Sequence, residues 1–464
     1  MGFGRDTHIL PFPGPMPAGV EPAPPLPGLS PIAGKSLIAR FDGGQLSSDG
    51  GLPALREVER RLGLAERLAA CIGDPRMPER VRHSVADILR FRMLMIAAGY
   101  EDGNDADALR HDPVFKLAPD QPPDGAALCS QPTVSRLENL PKVRELVRMA
   151  RAMVGLYRGS FRQVPCRIVL DVDGTFGAVH GEQQLRLFNA HHDGYGFQPI
   201  VVFDGEGRPA AAMLRPAKRP SGREAAVFLR RPVREIRGRW PRVQILIRAD
   251  SHYCAPEVLD FRRAEGLDFL LGAASTATLR RHVEALGQST AGRRAATPGS
   301  DELRRHREFY DGAGSWSRAE RIVARVEARP GGVDTRFVVT NLTGGSARSL
   351  HERKYRKRGR AENHIKAWKP RLAAGRTSCS RATANQFRLL LHTAAYWLMR
   401  SLRSLTPKRS TRRAARFDTL RLRLVELAAR VVELKTRVLL HLPSACPYQA
   451  VLCLALGRMP RLIS

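Results

Sequence analysis

The chain has 464 residues and carries 76 Lys and Arg against 45 Asp and Glu, a formal net charge of +31. An apolar content of 43% excludes a disordered polyelectrolyte, and no run approaches the roughly 18 uncharged apolar residues of a membrane span. This length supports on the order of two or three domains, and the charge favours nucleic acid over membrane as the partner. The seven cysteines are scattered, odd in number and lack a C-x-x-C pair, which argues against a disulfide framework and a zinc site. Residues 1–33 are rich in Pro and Gly with no apolar signal core, as expected of a flexible tail on a cytoplasmic protein.

In chain order, Ser36–Phe41 reads as a short strand, and Leu52–Leu62 and Ser84–Gly99 as helices with apolar residues at helical spacing. Arg92, inside the second of these, is expected to snorkel from a mostly buried helix. Ser130–Glu138 has a capping start and reads as an ordinary helix, with the second helix of a helix-turn-helix as the alternative. The character changes at Pro165. Arg167–Asp173 is a strand whose Ile168, Leu170 and Val172 face one way, while Val169, Asp171 and Asp173 face the other. Two carboxylates on one face at a strand's end make a poor core.

Gln198–Phe203 and Ala210–Leu214 are further strands, Ser221–Arg237 a helix, Val243–Asp250 a strand ending in Asp250, and Pro256–Glu265 a helix. Strand, strand, strand, helix, strand, helix is an α/β order with a mixed sheet, and sites in open α/β sheets lie beyond the carboxyl ends of strands. Asp173 and Asp250 both fall there; taken alone, Asp250 is equally a helix cap or turn former. Arg321–Glu327 and Thr335–Asn341 alternate like strands within a β-rich insertion over 276–345. Gln386–Leu402 is an apolar core helix, Arg400–Arg423 a solvated or DNA-facing basic surface, and Val431–Leu442 a pair of strands before a short apolar helix.

The most informative stretch is YRKRGRAENHIKAWK, Tyr355 to Lys369. In a continuous α-helix Tyr355, Arg358, Glu362 and Lys369 fall within roughly 60° of arc. Ala361, Ile365 and Trp368 make an apolar stripe beside them, and Pro370 ends the helix. Taken alone the run is a solvated basic helix; with Asp173 and Asp250 it supplies a third carboxylate. Three carboxylates at one point raise one another's pKa, a conflict that a divalent cation removes, and oxygen-only ligands favour Mg²⁺ or Mn²⁺. Two such ions suit in-line phosphoryl displacement, and the basic surface suits phosphate contacts.

The Y-x2-R-x3-E-x6-K pattern of residues 355–369, with the two strand-end Asp residues, resembles the DDE transposases of bacterial insertion sequences, in particular the group with a β-rich insertion before the Glu. The resemblance extends over about residues 36–458, including GGLPALREVERRLGL, SQPTVSRLEN, LRPAKRPSGREA, RADSHYCAPEVLD and TSCSRATANQFRLLLH. It implies an α/β, ribonuclease H-like mixed-sheet core, Mg²⁺-dependent cleavage at the element's ends and joining of the freed 3′-hydroxyl to target DNA. Asp173, Asp250 and Glu362 then become the catalytic, metal-binding triad, and Tyr355, Arg358 and Lys369 contacts to DNA near the scissile or flipped nucleotide. The family's Asp-x-Thr matches Asp173-Gly174-Thr175, which favours Asp173 over Asp171 as first ligand.

The partners implied are double-stranded DNA, at transposon ends and target, and a second copy of the chain in a homodimer on DNA. The organisation expected is a tail over 1–34, a helical DNA-binding domain over 35–160, a catalytic core over 161–275 and 346–405 split by the insertion at 276–345, and a C-terminal region over 406–464. A ribonuclease H-fold nuclease without strand transfer, and a non-catalytic repressor derived from a transposase, are the competing readings.

Overall fold

The computed structural model describes residues 24–459 apart from positions 298, 300 and 408, so the expected tail lies outside the described residues as far as position 23. The chain forms two compact units, one of residues up to Leu146 with Arg371–Ala373 and Leu391 onward, the other of Val147–Pro370 with Ala374–Leu390. None of the described helices is long and apolar enough to cross a membrane.

In the first unit the C-terminal region folds together with the N-terminal helices. Ser36–Phe41 is not a strand: the chain there has no regular structure, and the strand is Leu46–Ser47, where Arg430 and Ala429 supply antiparallel partners. A strand exists only where a neighbour satisfies its backbone. Helix Val85–Ala98 starts at Ser84, whose hydroxyl accepts from the Asp87 N–H at 3.1 Å, and stops at Gly99, which adopts φ 107°.

That helix is buried on nearly every side, and Arg92 within it does not snorkel; it is 1% exposed. Its guanidinium reaches no water and instead donates to Glu138 at 3.1 Å and to the carbonyls of Tyr100 and Glu101 at 3.2 and 2.7 Å. The basic stretch Arg400–Arg423 is also partly internal. Arg421 donates to the carbonyls of Ala97 and Arg371 at 3.1 and 2.9 Å, and Arg403 lies 4.9 Å over the Phe417 ring.

The second unit is built on an eight-stranded mixed sheet. Its strands are β1 (Arg167–Gly174), β2 (Ile200–Asp204), β3 (Pro209–Met213), β4 (Gln244–Ala249), β5 (Asp268–Ala273), β6 (Leu303–Asp311), β7 (Glu320–Arg329) and β8 (Gly332–Thr340). In space the order is β6-β7-β8-β5-β4-β1-β2-β3. The central β1, β4 and β5 run parallel, and every other neighbouring pair is antiparallel. The parallel strands carry the near-continuous apolar runs that burial on both faces requires, with Ile245, Leu246 and Ile247 in β4 and Phe269, Leu270 and Leu271 in β5 all buried. Helix Gly222–Arg237, capped by the Ser221 hydroxyl, joins β3 to β4, and helix Pro256–Ala264 joins β4 to β5.

The strands between 303 and 340 do not stand apart: β8 pairs with β5, extending the sheet. β6 is a strand that periodicity did not predict, because LRRHREFYD is dense in charge; its pairing with β7 and the ion pair of Arg304 with Glu327 hold it.

One buried carboxylate makes the first unit's stability depend on pH. Asp49 is fully buried, accepts from the Tyr100 hydroxyl at 2.8 Å and leaves Oδ1 without a partner. Burial pushes its pKa from 3.8 to about 7. The native state therefore binds this proton more tightly than the unfolded chain does, so the stability it contributes is present below pH 3.8 and lost as pH rises through about 7. Asp49→Asn, with a neutral amide in place of the acid, is expected to stabilise the protein by about 2–4 kcal/mol at pH 8 and by little at pH 3.5, with an intermediate effect near pH 5. Thermal melts of both proteins at these pH values check this; an equal effect at all of them would refute it.

Candidate active site

The pairing of β1 with β4 fixes the centre of the site. Asp171 lies opposite Arg248 and Val172 opposite Ala249 in parallel register. Asp173 and Asp250 are the next residues on the two strands, so they emerge side by side at the carboxyl edge of the sheet.

Asp171 and Asp173, two residues apart, have different environments. Asp171 accepts from Arg248 Nε and Nη2 at 2.6 and 2.7 Å, and the side chains are 1% and 5% exposed. This forked pair is closed to any further ligand. Asp173 accepts from the Gly174 N–H at 2.8 Å and faces Arg358 Nη1 at 3.4 Å. Burial pushes the Asp173 carboxyl up to about 6; Arg358 pulls it down, while Asp250 and Glu362 push it further up. All three carboxylates thus act in one electrostatic neighbourhood. Asp250 caps the turn Ser251–Tyr253, accepting from the His252 N–H at 2.9 Å.

The segment carrying the other predicted residues is not one straight helix. Ser349–Tyr355 is wound as a π-helix, Arg356–Gly359 as a 3₁₀ turn and Arg360–Trp368 as an α-helix. Arg248 meets this segment where the winding changes, donating through Nη1 to the Lys354 carbonyl at 2.7 Å. The change of winding separates the four signature residues. Arg358 faces Asp173 and feels Asp250 and Glu362, and exposed Glu362 stands in the first turn of the α-helical part, where a negative charge is favoured. Lys369 is drawn away: its Nζ donates to the Phe176 carbonyl and its alkyl chain lies against Gly375. Tyr355 is half-buried against the cluster of Leu246, Leu270, Val323, Val338, Leu342 and Leu350, with the Arg358 guanidinium 5.7 Å from its ring centroid.

Two contributors escaped sequence reasoning. Gly272 in β5 lies under Tyr355, where a Cβ would come within 2.6 Å of the Tyr355 hydroxyl and 3.0 Å of the Ser251 nitrogen. Arg248 ties β1, β4 and the 349–359 segment together. Each leaves a trace in the sequence, as a glycine or an arginine inside an otherwise apolar strand.

The donors of Asp173, Asp250 and Glu362 are all carboxylate oxygens, which suits Mg²⁺ or Mn²⁺, and the neighbouring negative charges that push Asp173 up are of the kind a cation neutralises. Their oxygens are not gathered within 4.8 Å of one another; among the described residues that spacing is met by His306, His351 and Glu352. Arg358 supplies positive charge among the three.

No curated protein sequence matches the chain. Among solved structures, one similar fold is the cryo-EM structure of a piggyBac transposase synaptic complex with hairpin DNA, with a TM-score of 0.41 and 10% identity over 82% of this chain and 80% of that one. A family model, the transposase DDE domain of group 1, matches residues 29–464. That match takes in both units and every residue of the site, and the chain belongs to the transposase DDE domain group 1 family.

Proposed function

We propose that this chain is the transposase of a bacterial insertion sequence, cutting DNA at the element's ends and joining the freed 3′-hydroxyl to target DNA. The observation that carries the reading is the emergence of Asp173 and Asp250 side by side from two parallel strands, with Glu362 acting on the same point. The strand order β3-β2-β1-β4-β5, an antiparallel meander followed by two parallel crossovers through helices, supports a ribonuclease H-like core with β6–β8 added at its edge.

Asp173 rather than Asp171 is the first member of the triad, because both oxygens of Asp171 are spent on Arg248. Asp173, Asp250 and Glu362 would hold Mg²⁺ or Mn²⁺, as two ions. When bound, such ions lower the pKa of the attacking oxygen and neutralise charge on the leaving one. The protein's own groups orient the reaction. Arg358 offers a planar fork to a phosphate oxygen next to Asp173, and Arg248 holds the strand ends and the Lys354 carbonyl in fixed relation. Lys369, anchored on the Phe176 carbonyl, reaches DNA only by releasing it.

The Tyr355 ring packs on the core over Gly272, which favours an anchoring role over stacking on a flipped base. The net charge of +31 supplies affinity for double-stranded DNA in the cytoplasm. Two ends cut in one event require two sites, hence a homodimer on DNA.

Three outcomes test this reading. Asp173→Asn, Asp250→Asn and Glu362→Gln are each expected to abolish cleavage of an oligonucleotide carrying the inverted repeat that flanks the gene, while DNA affinity stays within a few-fold. Retained cleavage in any of the three would remove that residue from the triad, and cleavage without any joined product would leave a nuclease. Binding is expected to fall with salt at a log–log slope of about −0.9 per phosphate neutralised, and a flat dependence would detach the basic surface from DNA. For Tyr355, the Ala variant should lower the melting temperature and every activity together, with Tyr355→Phe close to wild type. Normal stability in Tyr355→Ala, with only strand transfer lost, would restore the stacking role.

A further inference from the structure

A second cluster of metal-ligating side chains lies away from the carboxylate site. His306 projects from β6, and His351 and Glu352 from the π-helical segment. One carboxylate oxygen, Glu352 Oε1, receives both imidazoles, His306 Nε2 at 3.2 Å and His351 Nδ1 at 3.3 Å. The three ligand atoms lie within 4.8 Å of one another. The other oxygen, Oε2, is held by Arg356 at 2.7 Å, which turns Oε1 toward the histidines. His351 is 2% exposed, and its Nε2 is buried without a partner, so the hydrogen bonding of this interior histidine is incomplete.

We propose that His306, His351 and Glu352 form a binding site for a transition-metal ion of the Zn²⁺ class. Zn²⁺ sits about 2.0–2.2 Å from imidazole nitrogen and carboxylate oxygen, so tetrahedral ligands stand about 3.3 Å apart, close to the two nitrogen–oxygen separations of 3.2 and 3.3 Å here. Two imidazoles and one carboxylate leave a fourth position for water, and nitrogen donors select Zn²⁺, Co²⁺ or Ni²⁺ over Mg²⁺. Scattered cysteines gave no hint of zinc, since this site uses none of them.

To ligate a metal, His306 Nε2 and His351 Nδ1 must present lone pairs, so each imidazole carries its proton on the other ring nitrogen in the bound form and gives up its hydrogen bond to Glu352. The guanidinium groups of Arg325 and Arg348 oppose a cation here, which weakens binding and favours an ion that gains from imidazole ligation. A bound ion would pin the Ser349–Tyr355 turn to β6, at the start of the segment that carries Arg358 and Glu362.

The test is a Co²⁺ titration of the full-length, chelator-stripped protein, read by its visible absorption, with Zn²⁺ as competitor. The wild type is expected to bind one equivalent in a tetrahedral spectrum, and Zn²⁺ to raise its melting temperature. His306→Gln should weaken binding at least tenfold and abolish the melting shift. Glu352→Gln serves as the second variant if His306→Gln does not fold. Asp173→Asn should bind Co²⁺ like the wild type, which separates this site from the proposed catalytic one. No tetrahedral Co²⁺ spectrum in the wild type, or equal affinity in wild type and both ligand variants, would overturn the proposal.

Discussion

The arrangement of the second unit depends on one buried ion pair, Asp171 with Arg248. Two nearly inaccessible charges are joined by two short hydrogen bonds across adjacent parallel strands, and the remaining guanidinium nitrogen reaches the Lys354 carbonyl. Burying two charges costs several kcal/mol each, and a geometry of this quality offsets that cost while making a one-residue slip of register prohibitive. A slip would part both charges from their partner and carry Asp173 away from Asp250. The pair thus acts less as a source of stability than as a determinant of register.

The same arginine connects the sheet to the segment that brings Glu362. It holds the Lys354 carbonyl where the chain passes from π-helix to 3₁₀ and then to α-helix. Tyr355 seats its hydroxyl over Gly272, and Arg358 turns toward Asp173. Anchor and site are separated by one tight turn. The β6–β8 strands, continuous with the sheet through β5, hold the other side of that anchor, since Val323 and Val338 pack with Leu350 and Tyr355.

Much of this was legible in the amino-acid sequence. Alternation in Arg167–Asp173 and apolar runs at 243–250 locate the central strands, and strand-end carboxylates mark the edge where chemistry is expected. Three features were not legible, each for a physical reason. β6 is hidden because its side chains are mostly charged and are satisfied by partners that only the sheet provides. The break in the Tyr355–Lys369 segment coincides with a tertiary hydrogen bond from Arg248 that no helical periodicity encodes. The difference between Asp171 and Asp173 is invisible locally, because both share one strand face and only the arginine on the neighbouring strand distinguishes them. Arg92 teaches the same lesson in the first unit, where a helix buried on nearly every side turned an expected surface charge into an internal hydrogen-bond hub.

The central claim is that β1 divides its two carboxylates between architecture and chemistry, and melting temperatures of two single variants test it without any DNA substrate. Asp171→Asn leaves Arg248 buried and uncompensated, and is expected to cost about 3–5 kcal/mol of stability. Asp173→Asn removes a carboxylate that burial and negative neighbours already disfavour, so its melting temperature should equal or exceed that of the wild type near neutral pH. A stable Asp171→Asn protein beside a strongly destabilised Asp173→Asn protein would contradict the account.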